Sequence, residues 1–312
     1  MNYPKRITSA VILLALIIFS ACNSGGKSGA KSDGSKYDLS FSALKGPSFT
    51  NTMDMDMRIE TEVMGMKMNM NMKMNGGMNF DVLPDSAGLK HLKMTYEDMK
   101  MTMDMPALSG MGKGDEMNDI LRKMLSAFNG FAIEMLVDSS GTIKEVIGRE
   151  EFRDKLEKSM DSVLEGRSNP QVVQSMQQFY DKEQLQNMVG SMFTMYSNGP
   201  VAVGDSWTRN IEQVVNSMKT KNETKYTLVS VKDGVAEIEC EGKMSGAGSP
   251  EGEEGFKGEA EITGTQKGTL KMKVANGHMV SGDVKMDMDA KIKANGMKMP
   301  MKVKGIYTFK GK

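Results

Sequence analysis

From Met53 to Ile59 the apolar residues fall on odd positions (Met53, Met55, Met57, Ile59), with Asp54, Asp56 and Arg58 between them. From Met66 to Met74 the parity reverses, and methionine holds every even position. A period of two is that of a half-buried strand; on a helix these residues would scatter around the axis. A two-residue turn at Met64-Gly65 pairs Ile59 with Met70, Met57 with Met72 and Met55 with Met74. The reversed parity then places all six on one face of a hairpin.

The same pattern recurs toward the C-terminus. Asn295-Gly296 predicts a type I′ turn pairing Ile292 with Met299, Ala290 with Met301 and Met288 with Val303. A loop at Asn276-Gly277-His278 pairs Val274 with Val280 and Leu270 with Val284, and Asp233-Gly234 joins Val229 to Ile238. Leu92, Met94 and Tyr96 are even whereas Met99, Met101, Met103 and Met105 are odd, which predicts a bulge near Glu97-Asp98.

The middle of the chain changes period. Met117, Ile120, Leu121, Met124, Leu125 and Phe128 follow helical spacing, and so do residues 149 to 165 after a short hairpin through Ile133, Met135, Val137 and Ser140-Gly141. Asn169-Pro170 is a helix start leading into Val172, Val173, Met176, Phe179 and Tyr180. A further helix carries Leu185, Met188, Val189, Met192, Phe193 and Tyr196. The expectation is a single α+β domain over residues 37 to 312. Strand blocks 37–105 and 205–310 form one long, curved, half-barrel-like antiparallel sheet, and a mainly helical insert, 115–197, covers one face.

The N-terminus adds an address. Lys5 and Arg6 precede an apolar run from Ala10 to Phe19, too short to span a bilayer and suited to a signal peptide over residues 1 to 21. Phe19-Ser20-Ala21-Cys22 resembles the lipobox of bacterial lipoproteins, which implies acylation of Cys22 and stable membrane anchoring through its lipid. Residues 23 to 36, NSGGKSGAKSDGSK, form a flexible tether from the lipidated cysteine to the domain. With Cys22 acylated, only Cys240 remains, read as a buried structural thiol that cannot pair within the chain. The lipoprotein reading implies a cell-envelope protein, with the outer membrane favoured because Asn23, not an aspartate, follows the cysteine.

GPVAVGDSW (199–207), with the lipobox and the YDLSF opening at Tyr37, resembles a family of uncharacterised Bacteroidota lipoproteins. The strand-helix-strand layout is similar to the periplasmic lipoprotein-carrier fold, a half-barrel whose members hold acyl chains in the concavity. That resemblance implies a hydrophobic ligand and assigns no residue a role.

Charge and motifs narrow the chemistry. The 312 residues hold 40 basic and 40 acidic side chains. Removal of residues 1 to 21, which carry Lys5, Arg6 and no acid, leaves the acids two ahead. No basic patch points to nucleic acid. HExxH, GxSxG, phosphate-loop and CxxC patterns are absent, so no catalytic residue and no cofactor are expected. The paired carboxylates Asp54/Asp56 and Asp287/Asp289 lie opposite the methionines and read as solvated charge. The acidic EGEEG stretch (251–255) reads as a surface loop, and Trp207 as a packing anchor.

The 34 methionines admit three readings. They are a packed core, since an unbranched thioether fills irregular space; or they line an adaptable cavity for a lipid or acyl chain; or they bind Cu(I) or Ag(I), which thioethers select over hard cations. The candidate ligand-contacting residues are Met55, Met57, Met66, Met68, Met70, Met72, Met101, Met103, Met288, Met299 and Met301. The two histidines, His91 in a Lys-rich strand and His278 in a turn beside Met279, read as surface or capping groups, and no metal site is assigned. The function expected is non-enzymatic binding or shielding of a hydrophobic ligand by a lipid-anchored envelope protein.

Overall fold

The computed structural model describes residues 34–63, 66–106, 118–155 apart from 120, 121, 124, 127 and 152, then 158, 186, and 190–312 apart from 216–217, 250–257 and 295–296. These residues form thirteen strands: β1 (Lys36–Tyr37), β2 (Ser48–Val63), β3 (Met66–Ser86), β4 (Leu89–Asp104), β5 (Ala132–Val137), β6 (Ile143–Ile147), β7 (Val201–Ala202), β8 (Ser206–Val215), β9 (Met218–Lys232), β10 (Val235–Gly248), β11 (Gly258–Lys273), β12 (Met279–Ala294) and β13 (Met297–Gly311). Eleven of them build one antiparallel sheet in the order β6-β5-β4-β3-β2-β13-β12-β11-β10-β9-β8. Every step in that order joins neighbours in the chain except β13 beside β2, which welds the C-terminal block to the N-terminal one. The remaining pair, β1 and β7, forms a two-stranded sheet.

Local chemistry accounts for most of the registers. Ile59 faces Met70, Met57 faces Met72 and Met55 faces Met74. Ile292 faces Met299, Ala290 faces Met301 and Met288 faces Val303, although Asn295-Gly296 itself lies outside the described residues. The bulge in β4 falls where the parity break requires it. Asn75 pairs with Lys100 and Gly77 with Glu97, and Asp98 adopts a φ of 51°. A Cβ at Gly76 opposite would lie 2.2 Å from the sulfur of Met99, so that side chain would have to swing aside.

Two registers differ from the sequence expectation. Leu270 pairs with Gly282, not Val284, because the turn closes at Lys273 and His278, ahead of the expected loop at 276–278, and the shift between Lys271 and Met272 recovers only one position. Ile238 pairs with Leu228, not Val229, because the ladder slips between Glu237 and Ile238. Both ladders carry a bulge, which adds a residue to one strand. The Asp233-Gly234 turn itself has the positive φ angles of a type I′ hairpin, 51° and 74°.

The helical insert is only partly described. Short helical pieces occur between residues 118 and 126 and between 149 and 158, and Ser191–Phe193 is a 3-10 turn. The helix expected from Asn169-Pro170, and most of the one from Leu185, lie outside the described residues. The expected hairpin is present as β5 and β6, with Ile133, Met135 and Val137 buried. Beyond β5, the Lys100–Asp104 end of β4 pairs with β3 on one side and has no strand on the other among the described residues. The side chain of Asn118 substitutes for one, accepting from the Met103 N–H at 2.7 Å and donating to its carbonyl at 2.8 Å.

Candidate functional site

Period-two patterning gives the sheet one apolar face, and that face is buried along its whole width. One transverse row crosses nine strands by direct register: Met103 on β4, Met72 on β3, Met57 on β2, Gly305 on β13, Met286 on β12, Gln266 on β11, Gly242 on β10, Thr224 on β9 and Arg209 on β8. The row changes character as it goes, from thioether to amide, hydroxyl and guanidinium. Thr220, Asn222 and Thr224 on β9, with Gln266 on β11, are 2–6% exposed and make one wall polar. The opposite face carries scattered, exposed ion pairs such as Lys73–Asp56 and Lys304–Asp287. Asp54, Asp56, Asp287 and Asp289 are all exposed there.

The candidate methionines share the inner face but not its depth. Met57, Met70 and Met72 are 0–2% exposed, and Met55, Met103, Met288 and Met301 are also buried. Met68, Met101 and Met299 are half-buried, whereas Met66 is 61% exposed at the end of its strand. Along β3 exposure rises from Met72 and Met70 through Met68 to Met66 at the turn into β2, whereas Met101 and its neighbour Met74 are half-buried farther along the sheet.

The other end is closed by aromatic rings. Phe49 stacks on Phe80 at 4.8 Å, Phe80 meets Phe193 edge-on, and Phe41 packs between Phe193 and Tyr196 at 4.9 and 5.2 Å. The Tyr196 hydroxyl donates to the Gly277 carbonyl at 2.9 Å, pinning this cap to the β11–β12 turn. Burial pushes the Tyr196 and Tyr307 hydroxyls well above their ordinary range, and Tyr226 up to about 12, so all three stay neutral donors.

The sheet curls far enough for its edges to meet. Arg209, on edge strand β8, donates from Nη2 to the Ser140 carbonyl at 3.0 Å in the β5–β6 turn of the other edge. It also donates to the Tyr196 carbonyl from Nη2 at 2.7 Å and from Nε at 3.2 Å. Desolvation, the largest effect, lowers the Arg209 pKa, while Tyr226 and Asp138 raise it. Beneath Arg209, Trp207 stacks on Tyr226 at 5.7 Å, so it is a packing anchor as expected, but its Nε1 is buried without an acceptor.

Neither histidine joins the methionines. His91 meets Glu134 at 2.9 Å. His278 sits in its turn against Phe49 in the aromatic cap, and burial lowers its pKa. Among the described residues no cluster of three or more His, Cys, Asp or Glu side chains is placed to hold a metal ion. Cys240 is wholly buried at mid-strand, as expected. The one other cysteine in the sequence, Cys22, lies outside the described residues.

Sequence reasoning missed the aromatic cap, the polar wall and Arg209. The last was legible: in Trp207-Thr208-Arg209-Asn210-Ile211, parity places the arginine on the same side as the tryptophan and isoleucine.

Residues 87–279 match a family described as Family of unknown function (DUF6263). No curated protein matches the chain. Among solved structures, the β domain of the Bordetella autotransporter BrkA is matched over 84% of this chain and 99% of its own, at 7% identity and a TM-score of 0.22. Pseudomonas aeruginosa OccK11 (OpdR) is matched over 87% and 99%, at 5% identity and a TM-score of 0.18. The CymD monoaromatic hydrocarbon channel is matched over 86% and 89%, at 8% identity and a TM-score of 0.14. At TM-scores this low the matches establish no shared topology.

Proposed function

The chain belongs to the DUF6263 family, whose function is unknown, and for this member we propose non-enzymatic binding or shielding of a hydrophobic ligand, a lipid or acyl chain, by a lipid-anchored envelope protein. The observation that carries the reading is the graded inner face. Thioethers line it, aromatic rings close one end, and Met66, Met68 and Met299 are open to solvent in whole or part at the other. Flexible side chains of this kind can repack around chains of varied shape. Met66, Met68 and Met299 form the lip in this reading, and Met57, Met70 and Met72 the floor that moves aside. The lipobox-like stretch before Cys22 and the tether after it supply the anchor, with the outer membrane as the favoured address.

A second reading is favoured by one geometric fact. Met57 faces Met72, Met72 faces Met103 and Met55 faces Met74 across adjacent strands, which brings thioethers together in pairs as a Cu(I) or Ag(I) site would need.

Native mass spectrometry of the full chain purified from its membranes tests both readings. The expected spectrum shows an N-terminus cleaved before Cys22 and carrying acyl chains, with a co-purifying lipid mass. A copper mass without lipid supports the second reading, and an unacylated Cys22 ends the anchor.

A further inference from the structure

The geometry points to Arg209 and Trp207 as the head-group site for an anionic amphiphile, a long-chain carboxylate whose hydrocarbon tail runs along the inner face toward the methionines. This rests on the hydrophobic-ligand reading and adds the class of head group. Arg209 spends Nε and Nη2 on two neutral carbonyls, Tyr196 and Ser140. Its Nη1 amino group has no acceptor and no carboxylate pairs with it among the described residues. Asp138 acts on it only through space and is already committed to Lys144 at 2.9 Å. A half-buried guanidinium held in place by carbonyls, its charge unpaired, is prepared for an incoming anion.

The second donor is independent of the first. Trp207 lies two residues before Arg209 on the same side of β8, and its Nε1, though buried, has no acceptor. An indole N–H is a donor only, so a carboxylate oxygen would satisfy it. Register supplies the rest. Thr224 faces Arg209, Gln266 follows two strands on, and Met286, Met57 and Met72 continue the same row. Four strand spacings, roughly 19 Å, take the row from β8 to β12, within reach of a long acyl chain lying across the strands. Charge, neutral hydrogen bonding and thioether thus follow one another in the order of an amphiphile's head and tail.

The sole tryptophan of the chain is the reporter. The full-length protein is titrated with a dibrominated stearate and, separately, with the matching dibrominated stearyl alcohol, reading bromine quenching of Trp207. The wild type is expected to bind the carboxylate about tenfold or more tightly than the alcohol. Arg209→Gln, which retains an amide to reach the carbonyls, is expected to bring the carboxylate down to the alcohol's affinity and leave the alcohol unchanged. The wild-type comparison decides even if that variant fails to fold. Equal quenching by both probes overturns the head-group site while the hydrophobic-ligand reading stands. Quenching by neither, with a lipid mass still present on the purified protein, also overturns this site alone. Quenching by neither, with no lipid mass, ends both.

Discussion

Asn69 and Met70 are adjacent in the chain and opposite in environment. Asn69 is exposed, whereas Met70 is 2% exposed and faces Ile59 across the hairpin. An aspartate at position 69 joins a solvated, mixed-charge face. At position 70 it would bury a carboxylate among thioethers with no cation to pair it. Asn69→Asp is expected to leave the urea midpoint nearly unchanged, and Met70→Asp to cost roughly 3 kcal/mol or more or abolish folding. Equal midpoints would mean that burial is not one-sided. This contrast was legible from parity alone. The difference between Met66 and Met57 was not, because both belong to the same alternating set and only their distance from the strand end separates them.

At the scale of elements, the β5–β6 hairpin is held by its turn. The Asp138 carboxylate accepts from the Ser140 hydroxyl at 2.6 Å, the Ser140 and Thr142 N–H groups at 2.9 and 3.0 Å, and Lys144 at 2.9 Å. Burial, the largest single influence, would raise its pKa, but these donors together bring it down to about 2. The folded value lies below the ordinary one, so the stabilisation is complete above about pH 4 and is lost as pH falls toward about 2. Amides of β5 and β6 are expected to lose hydrogen-exchange protection across that window ahead of those in β12. Asp138→Asn is expected to remove the pH step, and an unchanged step would assign it to another acid. Since Ser140 also receives Arg209, loosening this turn loosens the contact between the sheet edges.

Over the whole molecule, what matters is whether the methionines act through shape or through sulfur. Changing Met66, Met68, Met70 and Met72 together to leucine roughly conserves volume, and each swap is expected to cost under about 1.5 kcal/mol. The variant is expected to fold and to keep binding a fluorescent fatty acid, weakened by the stiffer branched side chains. Under the soft-metal reading it would lose its donors outright. Tight Cu(I) binding by the wild type against a chromophoric chelator, abolished in the leucine variant, would replace the cavity reading.

The sequence by itself determined the strand faces, the registers of the β2–β3 and β12–β13 hairpins and the β4 bulge, because period two and turn chemistry are local and each is written within a few residues. Its helical insert is legible as pattern but lies largely outside the described residues. Only the tertiary structure decided that β13 lies beside β2, that the β11–β12 turn closes early and a bulge shifts the pairing of Ile238, and that Arg209 reaches from one sheet edge to the other. The depth gradient along the methionines and the aromatic cap belong to the same class. Phe41 and Phe193 stand 152 positions apart in the numbering, and no local periodicity joins them. Contacts of that range are set by which strands pair and how far the sheet curls, which depends on all the strands at once.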